Sequence, residues 1–216
     1  MPPWTRHSKQ SNNPAKTDTE GCGCGRIPLS SMKEVVKLSN HAATLRRGSV
    51  RWLTTTALFM GMNIILSLST FSIPVPGGHL YFCDAVIDTA AILLDPFAAF
   101  IVGGIGSFLG DFFFYPAPMF VSLVTHGLQA IIVSVISHRL LTKKPVLSSS
   151  IAVTAGAVVM VIGYTLGRAY VYSTPEYAIL KLPFEILQAG FGAVVSIILL
   201  YPMRINSAFR RIIHDY

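Results

Sequence analysis

The chain has 216 residues, of which 52% are hydrophobic and 12% are charged, with a mean hydropathy of +0.56 and a net charge of +7. Globular domains carry about twice that share of charged residues, so the composition excludes an ordinary soluble domain, a disordered chain and a disulfide scaffold. Six membrane spans of about 20 residues need about 120 positions, which this length accommodates. We therefore predict an all-α polytopic membrane protein, a bundle of six transmembrane helices.

Residues 1–48 are polar and basic, without apolar periodicity. No apolar stretch lies near Met1, so we expect no cleavable signal peptide. Cys22 and Cys24 provide only half of the ligands that a structural zinc site needs. This segment is predicted to be a disordered cytoplasmic tail, with no metal site.

The first predicted span covers about 52–71 and is followed by a loop, 72–79, whose prolines and glycines cannot continue a helix. Residues 84–114 are mostly apolar, and as one helix they would measure about 46 Å, more than a hydrocarbon core of roughly 30 Å. Asp95 and Pro96 are predicted to divide them into helices over about 82–94 and 97–114, with Asp95 as the cap of the second.

Three further spans are predicted over about 119–140, 150–170 and 183–201. With six crossings, 15 of the 17 Lys and Arg residues fall on one side of the membrane. Positive residues stay in the cytoplasm, so both termini are expected there. Residues 49–204 then form the transmembrane domain, residues 205–216 form a short basic cytoplasmic tail, and the charge indicates no nucleic-acid partner.

Several ionisable residues lie inside the predicted spans, where each costs several kcal/mol and usually faces a cavity or a partner. Two polar pairs have one-turn spacing, His126 with Gln129 and Glu185 with Gln188. Acids, a histidine and tyrosines are expected to converge in the outer half of the bundle near the 74–81 loop. This pattern predicts a pocket for a small polar ligand. The residues expected there are Asp84, Asp111, Tyr115, His126, Tyr164 and Glu185.

Two other functions are compatible with these residues. An autonomous proton-coupled carrier would relay protons through Asp111, His126 and Glu185. An intramembrane hydrolase would use Ser107 with His126, but Phe108 stands where such proteases usually have a glycine. The sequence contains neither a zinc-protease motif nor a phosphate-binding loop, so we expect no catalytic residues, and any energy from ATP must come from a partner.

The ordered motifs between residues 76 and 128 resemble the substrate-binding S component of energy-coupling factor (ECF) vitamin transporters. The resemblance covers about residues 50–203 and is greatest to the branch for riboflavin, hydroxymethylpyrimidine or pyridoxine-type ligands. The motifs are Pro76-Gly77-Gly78, Asp84-Ala85-Val86-Ile87, Asp95-Pro96, Gly103-Gly104-Ile105-Gly106-Ser107, Asp111, Tyr115-Pro116-Ala117-Pro118 and His126-Gly127-Leu128.

This resemblance implies a subunit that captures a small vitamin or vitamin precursor, with pyridoxine or hydroxymethylpyrimidine types favoured, from outside a bacterial cell membrane. Uptake would be driven by a partner ECF module, a membrane scaffold subunit with two ATPases. Ala57 and Gly61 are four residues apart, a spacing that permits close helix contact. Either they pack inside the bundle or, as the resemblance implies, they dock on the scaffold.

The resemblance also implies that the loop 72–83 covers the pocket as a lid. We expect His79 and the Gly77-Gly78 pair to shape this lid, and we assign hypothetical roles to the pocket residues. We expect no cofactor. Ligand hydroxyls or ring nitrogens would be hydrogen-bonded by His126, Asp84 and Glu185, an aromatic ring would lie between Tyr81, Tyr115 and Tyr164, and the remaining polar contacts would come from Asp111, Gln129 and Gln188.

Overall fold

The computed structural model describes residues 47–68, 72–76, 78–140 and 144–203. All of these residues belong to one unit, 39–216. The predicted tails, apart from residues 47 and 48, lie outside the described residues, as does Gly77 of the predicted lid.

The described residues form six helices, as predicted, and one short hairpin. Four of the helices, α3 to α6, are long and apolar enough to cross a membrane, so the all-α polytopic fold is confirmed. The helices are α1 (Val50–Leu66), α2 (Cys83–Leu93), α3 (Pro96–Phe114), α4 (Met119–Arg139), α5 (Pro145–Tyr172) and α6 (Pro175–Leu200).

The second helix is too short to cross a membrane alone. Its 11 residues span about 16 Å at 1.5 Å per residue, half of a hydrocarbon core of roughly 30 Å. The hairpin before it pairs β1 (Ile73–Val75) with β2 (Gly78–Leu80) in antiparallel register, Pro74 opposite His79. The loop from α1 thus returns to the start of α2 in extended conformation.

The predicted break between α2 and α3 occurs at Asp95. Its carboxylate accepts a hydrogen bond from the Phe97 backbone N–H at 3.3 Å, and Pro96 occupies the first helical position, so the predicted cap is confirmed. The same carboxylate accepts from Trp52 Nε1 at 2.6 Å and from Arg47 Nε at 2.9 Å. Asp95 therefore joins the start of α1 to the α2–α3 turn.

Glycines allow α3 to lie directly against α4. A Cβ at Gly103 would lie 2.8 Å from the His126 carbonyl oxygen, and a Cβ at Gly104 would lie 3.1 Å from that of Leu123. Both distances are shorter than normal van der Waals contact. This close approach fixes the position of His126 along the axis of α4 relative to α3.

The last helix begins well before its predicted start. It runs from Pro175, and Pro183, which the prediction placed at the helix start, lies inside it. Polar residues in its first turns, including Lys181, lower the apolar signal there. Arg168 and Lys181, which the sequence analysis counted only as cations on the outer side, are both buried within helices.

Candidate functional site: a polar cavity at one end of the bundle

A cavity of about 610 Å³, including its open mouth, lies where α3 and α5 end and where α2, α4 and α6 begin. The lining residues are Ser67, His79, Tyr81, Cys83, Ser107, Asp111, Tyr115, Pro118, His126, Met160, Tyr164, Arg168, Tyr172, Lys181, Glu185 and Gln188.

Eight of the ten residues predicted for the site line this cavity, and two do not. Asp84 and Gln129 lie behind the wall, each 1% exposed. Asp84 accepts hydrogen bonds from Gln188 Nε2 at 2.7 Å and from Gln129 Nε2 at 3.4 Å. The eight lining residues are His79, Tyr81, Asp111, Tyr115, His126, Tyr164, Glu185 and Gln188.

His126 is oriented by Gln129, one turn along α4. The Gln129 Nε2 group donates towards two carboxylates, to Asp88 at 3.1 Å and to Asp84 at 3.4 Å, so its Oε1 faces the histidine. That oxygen lies 2.8 Å from His126 Nδ1. Because an amide oxygen only accepts, Nδ1 carries the proton. In the neutral imidazole, Nε2 is then left as an acceptor for a ligand.

A second group joins the ends of α5 and α6. Arg168 and Glu185 form a buried ion pair with 3.1 Å between Nη2 and Oε1. The Thr165 hydroxyl, which donates to the Val161 carbonyl at 2.7 Å, shares its proton with the other oxygen of Glu185 at 3.3 Å. The guanidinium lies 5.3 Å from the centre of the Tyr172 ring. These contacts compensate part of the cost of removing two charges from water.

A third group connects α3, α4 and α5 through hydroxyls. Ser122 donates its single proton to the carboxylate of Asp111, and the Tyr164 oxygen lies 2.6 Å from the same serine oxygen. Because Ser122 has no second proton, Tyr164 must be the donor in that contact. The tyrosine ring also lies edge-on to His126, with 5.2 Å between ring centres. Its position in the wall is therefore fixed on two sides.

The hairpin is connected to the cavity wall through Gln188. The Tyr81 backbone N–H donates to Gln188 Oε1 at 3.1 Å, while Gln188 Nε2 donates to Asp84 Oδ2 at 2.7 Å. Asp84 thus orients the amide whose oxygen accepts from the Tyr81 backbone. Burial raises the pKa of the Tyr81 phenol to about 12, so this side chain remains a neutral donor at physiological pH.

Three residues of the lining were not among the predicted site residues, namely Arg168, Lys181 and Tyr172. One signal for Lys181 was present: it lies four residues before Glu185 and seven before Gln188, a spacing that places all three on one face of a helix. The prediction began that helix at about residue 183, so the spacing was not used.

Residues 47–205 match the protein family described as ECF-type riboflavin transporter, S component. The chain belongs to this family. It is also 31% identical over 135 residues to a protein of Pyrococcus woesei described as an uncharacterized protein in a gap 3′ region, covering 62% of this chain and 88% of that protein. The predicted resemblance to S components is thereby confirmed.

Membership assigns the chain to membrane transport and not to catalysis. The intramembrane hydrolase that was weighed for Ser107 and His126 is excluded on this ground. In the structure, Ser107 instead accepts a hydrogen bond from Asn63 Nδ2 at 3.2 Å, which joins α1 to α3. The chain is thus a substrate-binding component of a vitamin transporter.

Proposed function

We propose that the cavity captures a small vitamin or vitamin precursor from outside the cell and that a partner ECF module drives its uptake with ATP. The observation that supports this proposal is the composition of the cavity wall. It combines aromatic rings with oriented polar groups inside an apolar bundle, beneath a hairpin that is hydrogen-bonded to the wall. Ligand sites of this kind are mostly apolar, with few placed polar groups.

The ligand is proposed to carry an aromatic ring that lies between Tyr81, Tyr115 and Tyr164. His126 Nε2 would accept a hydrogen bond from a hydroxyl or ring N–H, and Glu185 would accept another. A substituted pyridine or pyrimidine of the pyridoxine or hydroxymethylpyrimidine type fits such contacts, as does the flavin named in the family description.

The position of Asp84 suggests a supporting role. It lies behind the wall and holds Gln188, so we propose that it positions the lid and does not contact the ligand itself. Gln129 would act in the same way, by orienting His126.

The docking face is proposed to be the open side of α1. Trp52, Thr56 and Asn63 are buried against the bundle, whereas Ala57 is exposed and nothing lies within 4 Å of a Cβ placed at Gly61. Small residues allow another helix to approach closely. The scaffold subunit of the ECF module would pack here, in a cell membrane with both termini of this chain in the cytoplasm.

The alternative, a proton-coupled carrier, would need a proton path between relay residues that line one cavity but are not joined directly. Its three proposed relay residues belong to separate groups: Asp111 bonds to Ser122, His126 to Gln129, and Glu185 to Arg168. Among the described residues, no hydrogen bond joins one relay residue directly to another.

Reconstitution in liposomes tests the proposal. We expect uptake of the vitamin only when the scaffold subunit, both ATPases and ATP are present together with this chain. Uptake by the chain alone, driven by a pH gradient, would establish the carrier and refute the proposed function.

A further inference from the structure

Lys181 lines the cavity without a protein partner. The residue is 7% exposed, and within the described residues its side chain makes no hydrogen bond and no ion pair within 4.0 Å. Of the two carboxylates of the lining, Glu185 is paired with Arg168. Asp111 accepts a hydrogen bond from the neutral Ser122 hydroxyl and forms no ion pair with Lys181 within 4.0 Å. Removing an ammonium from water without a partner costs several kcal/mol, so the Lys181 ammonium lacks a partner that a bound ligand could provide.

A second donor in the same lining also lacks a partner. The hydroxyl of Tyr172 is buried and, in the described part of the chain, has no hydrogen-bond partner. The Tyr172 ring lies beneath the Arg168 guanidinium, which limits its movement. Buried hydroxyls are rarely left unsatisfied. The ends of α5 and α6 therefore bring an unpaired ammonium and an unpaired hydroxyl to one cavity.

We propose that the captured ligand carries an oxyanion, a carboxylate or a phosphate monoester, that is bound by Lys181 and Tyr172. This inference rests on the proposed function and narrows its substrate class. An oxyanion accepts several hydrogen bonds and compensates a buried positive charge, and such charge-assisted bonds are about twice as strong as neutral ones. A neutral hydroxyl would satisfy Tyr172 but would leave Lys181 without an ion-pair partner.

Calorimetry on the purified full chain, with matched ligand pairs, tests this proposal. The pairs are pyridoxine with pyridoxine 5′-phosphate and riboflavin with riboflavin 5′-phosphate, and pantothenate serves as the carboxylate. We expect an anionic compound to bind at least about tenfold more tightly than the neutral compounds, which is the low end for a hydrogen bond to a charged group. Preference for pantothenate or for a phosphate ester shows which oxyanion the site takes.

The Lys181→Met variant removes the charge and keeps the length of the side chain. It should weaken binding of the preferred anion about tenfold to a hundredfold, and the loss for the neutral compounds should be smaller. Lys144→Met is the matched control, because Lys144 is exposed at the start of α5, and the cavity lies at the other end of that helix. This control should bind like the unaltered protein.

A neutral compound that binds as tightly as the best anionic compound, or more tightly, would overturn the oxyanion proposal and leave the proposed function intact. Unchanged anion affinity in Lys181→Met would do the same. If no compound of either kind binds, the proposed function itself fails.

Ligand-free Lys181→Met should unfold at the same or a higher temperature than the unaltered protein, because the substitution removes a buried ammonium that has no ion-pair partner. A lower unfolding temperature would show that Lys181 is structural and would contradict the proposal.

Discussion

The two ends of the helix bundle differ in whether every buried polar group has a hydrogen-bond partner within the protein. At the Asp95 end, partners are internal: Asp95 accepts from Trp52, Arg47 and the Phe97 backbone, and Ser134 donates to the Leu94 carbonyl at 2.8 Å. At the cavity end, Lys181 and the Tyr172 hydroxyl line open space. A buried polar group whose partners belong to the protein supports the fold, whereas an unpartnered one that lines a cavity indicates a ligand.

This difference has a direct experimental consequence. Substitutions at the Asp95 end should change the free energy of unfolding without changing ligand affinity. Substitutions in the cavity wall should change affinity, with or without an effect on stability. Four variants, in order of decreasing effect, test whether stability and ligand affinity depend on different parts of the bundle.

Replacing Glu185 by leucine should have the largest effect, because it removes a proposed ligand contact and leaves Arg168 buried without its partner. Breaking a buried pair costs about 3–5 kcal/mol. We expect a loss of that order in the free energy of unfolding in detergent and loss of measurable ligand binding.

A double variant separates the two effects of Glu185→Leu. Combining it with Arg168→Met removes the uncompensated charge and should restore most of the stability, because replacing a whole buried pair by apolar residues is often neutral. Ligand binding should remain lost. Recovery of binding in the double variant would show that Glu185 acts only by neutralising Arg168.

Gly192→Ala should destabilise the contact between α2 and α6 at the cavity end. A Cβ at Gly192 would lie 2.5 Å from the Cβ of Asp84, so the helices must separate at a cost of about 2 kcal/mol. Because Asp84 supports Gln188, ligand affinity should fall as well. Thermal unfolding and calorimetry measure the two effects.

Gly190→Ala is the matched control on the same helix. Nothing lies within 4 Å of a Cβ at Gly190, so the change should be neutral or stabilise the helix by up to about 1 kcal/mol. A similar loss of stability at both glycines would mean that helix propensity and not the contact with Asp84 governs the result.

Trp52→Phe should have a smaller effect, confined to stability. The change removes the indole donor to Asp95 but keeps an aromatic ring beside Phe97, whose centre lies 6.1 Å away. We expect a loss of about 1.5 kcal/mol, the lower value for hydrogen bonds to charged groups. Ligand affinity should not change. A fall in affinity would show that the two ends of the bundle are coupled.

Gly61→Val should leave both stability and ligand affinity almost unchanged, within about 0.5 kcal/mol, as for most surface substitutions. Its effect should appear only in ATP-dependent uptake with the ECF module, because the larger side chain prevents close approach of the scaffold. Gly190→Val makes the same substitution on α6 and should retain uptake. Normal uptake by Gly61→Val would remove α1 as the docking face.

Much of the fold could be predicted from the sequence because apolar runs and helix-breaking pairs are local signals. The Asp95-Pro96 break is one example. The convergence of His126, Tyr164 and Glu185 could also be predicted, since depth in a membrane can be counted from span ends. Which side of a wall a side chain faces could not, so Asp84 and Gln129 were placed in the cavity although they lie behind it.

The missed cations have a different physical origin. Arg168 and Lys181 were counted as charges outside the membrane because a charged residue usually ends an apolar span. In the folded chain α5 continues to Tyr172 and α6 begins at Pro175, so both residues lie within helices and are buried in the bundle. A charged residue of this kind can be recognised as buried only when the residue at which its helix begins or ends is known.

Calorimetry of the isolated chain determines whether the cavity is a preformed capture site. The compounds to be tested are pyridoxine, hydroxymethylpyrimidine, thiamine, riboflavin, pantothenate and the phosphate esters. We expect one compound to bind one-to-one with a Kd on the order of nanomolar, about −12 kcal/mol, without any partner protein. His126→Ala and Glu185→Ala should each weaken this binding, and Trp52→Phe should not. The account would be contradicted if no compound binds, or if both cavity variants keep full affinity.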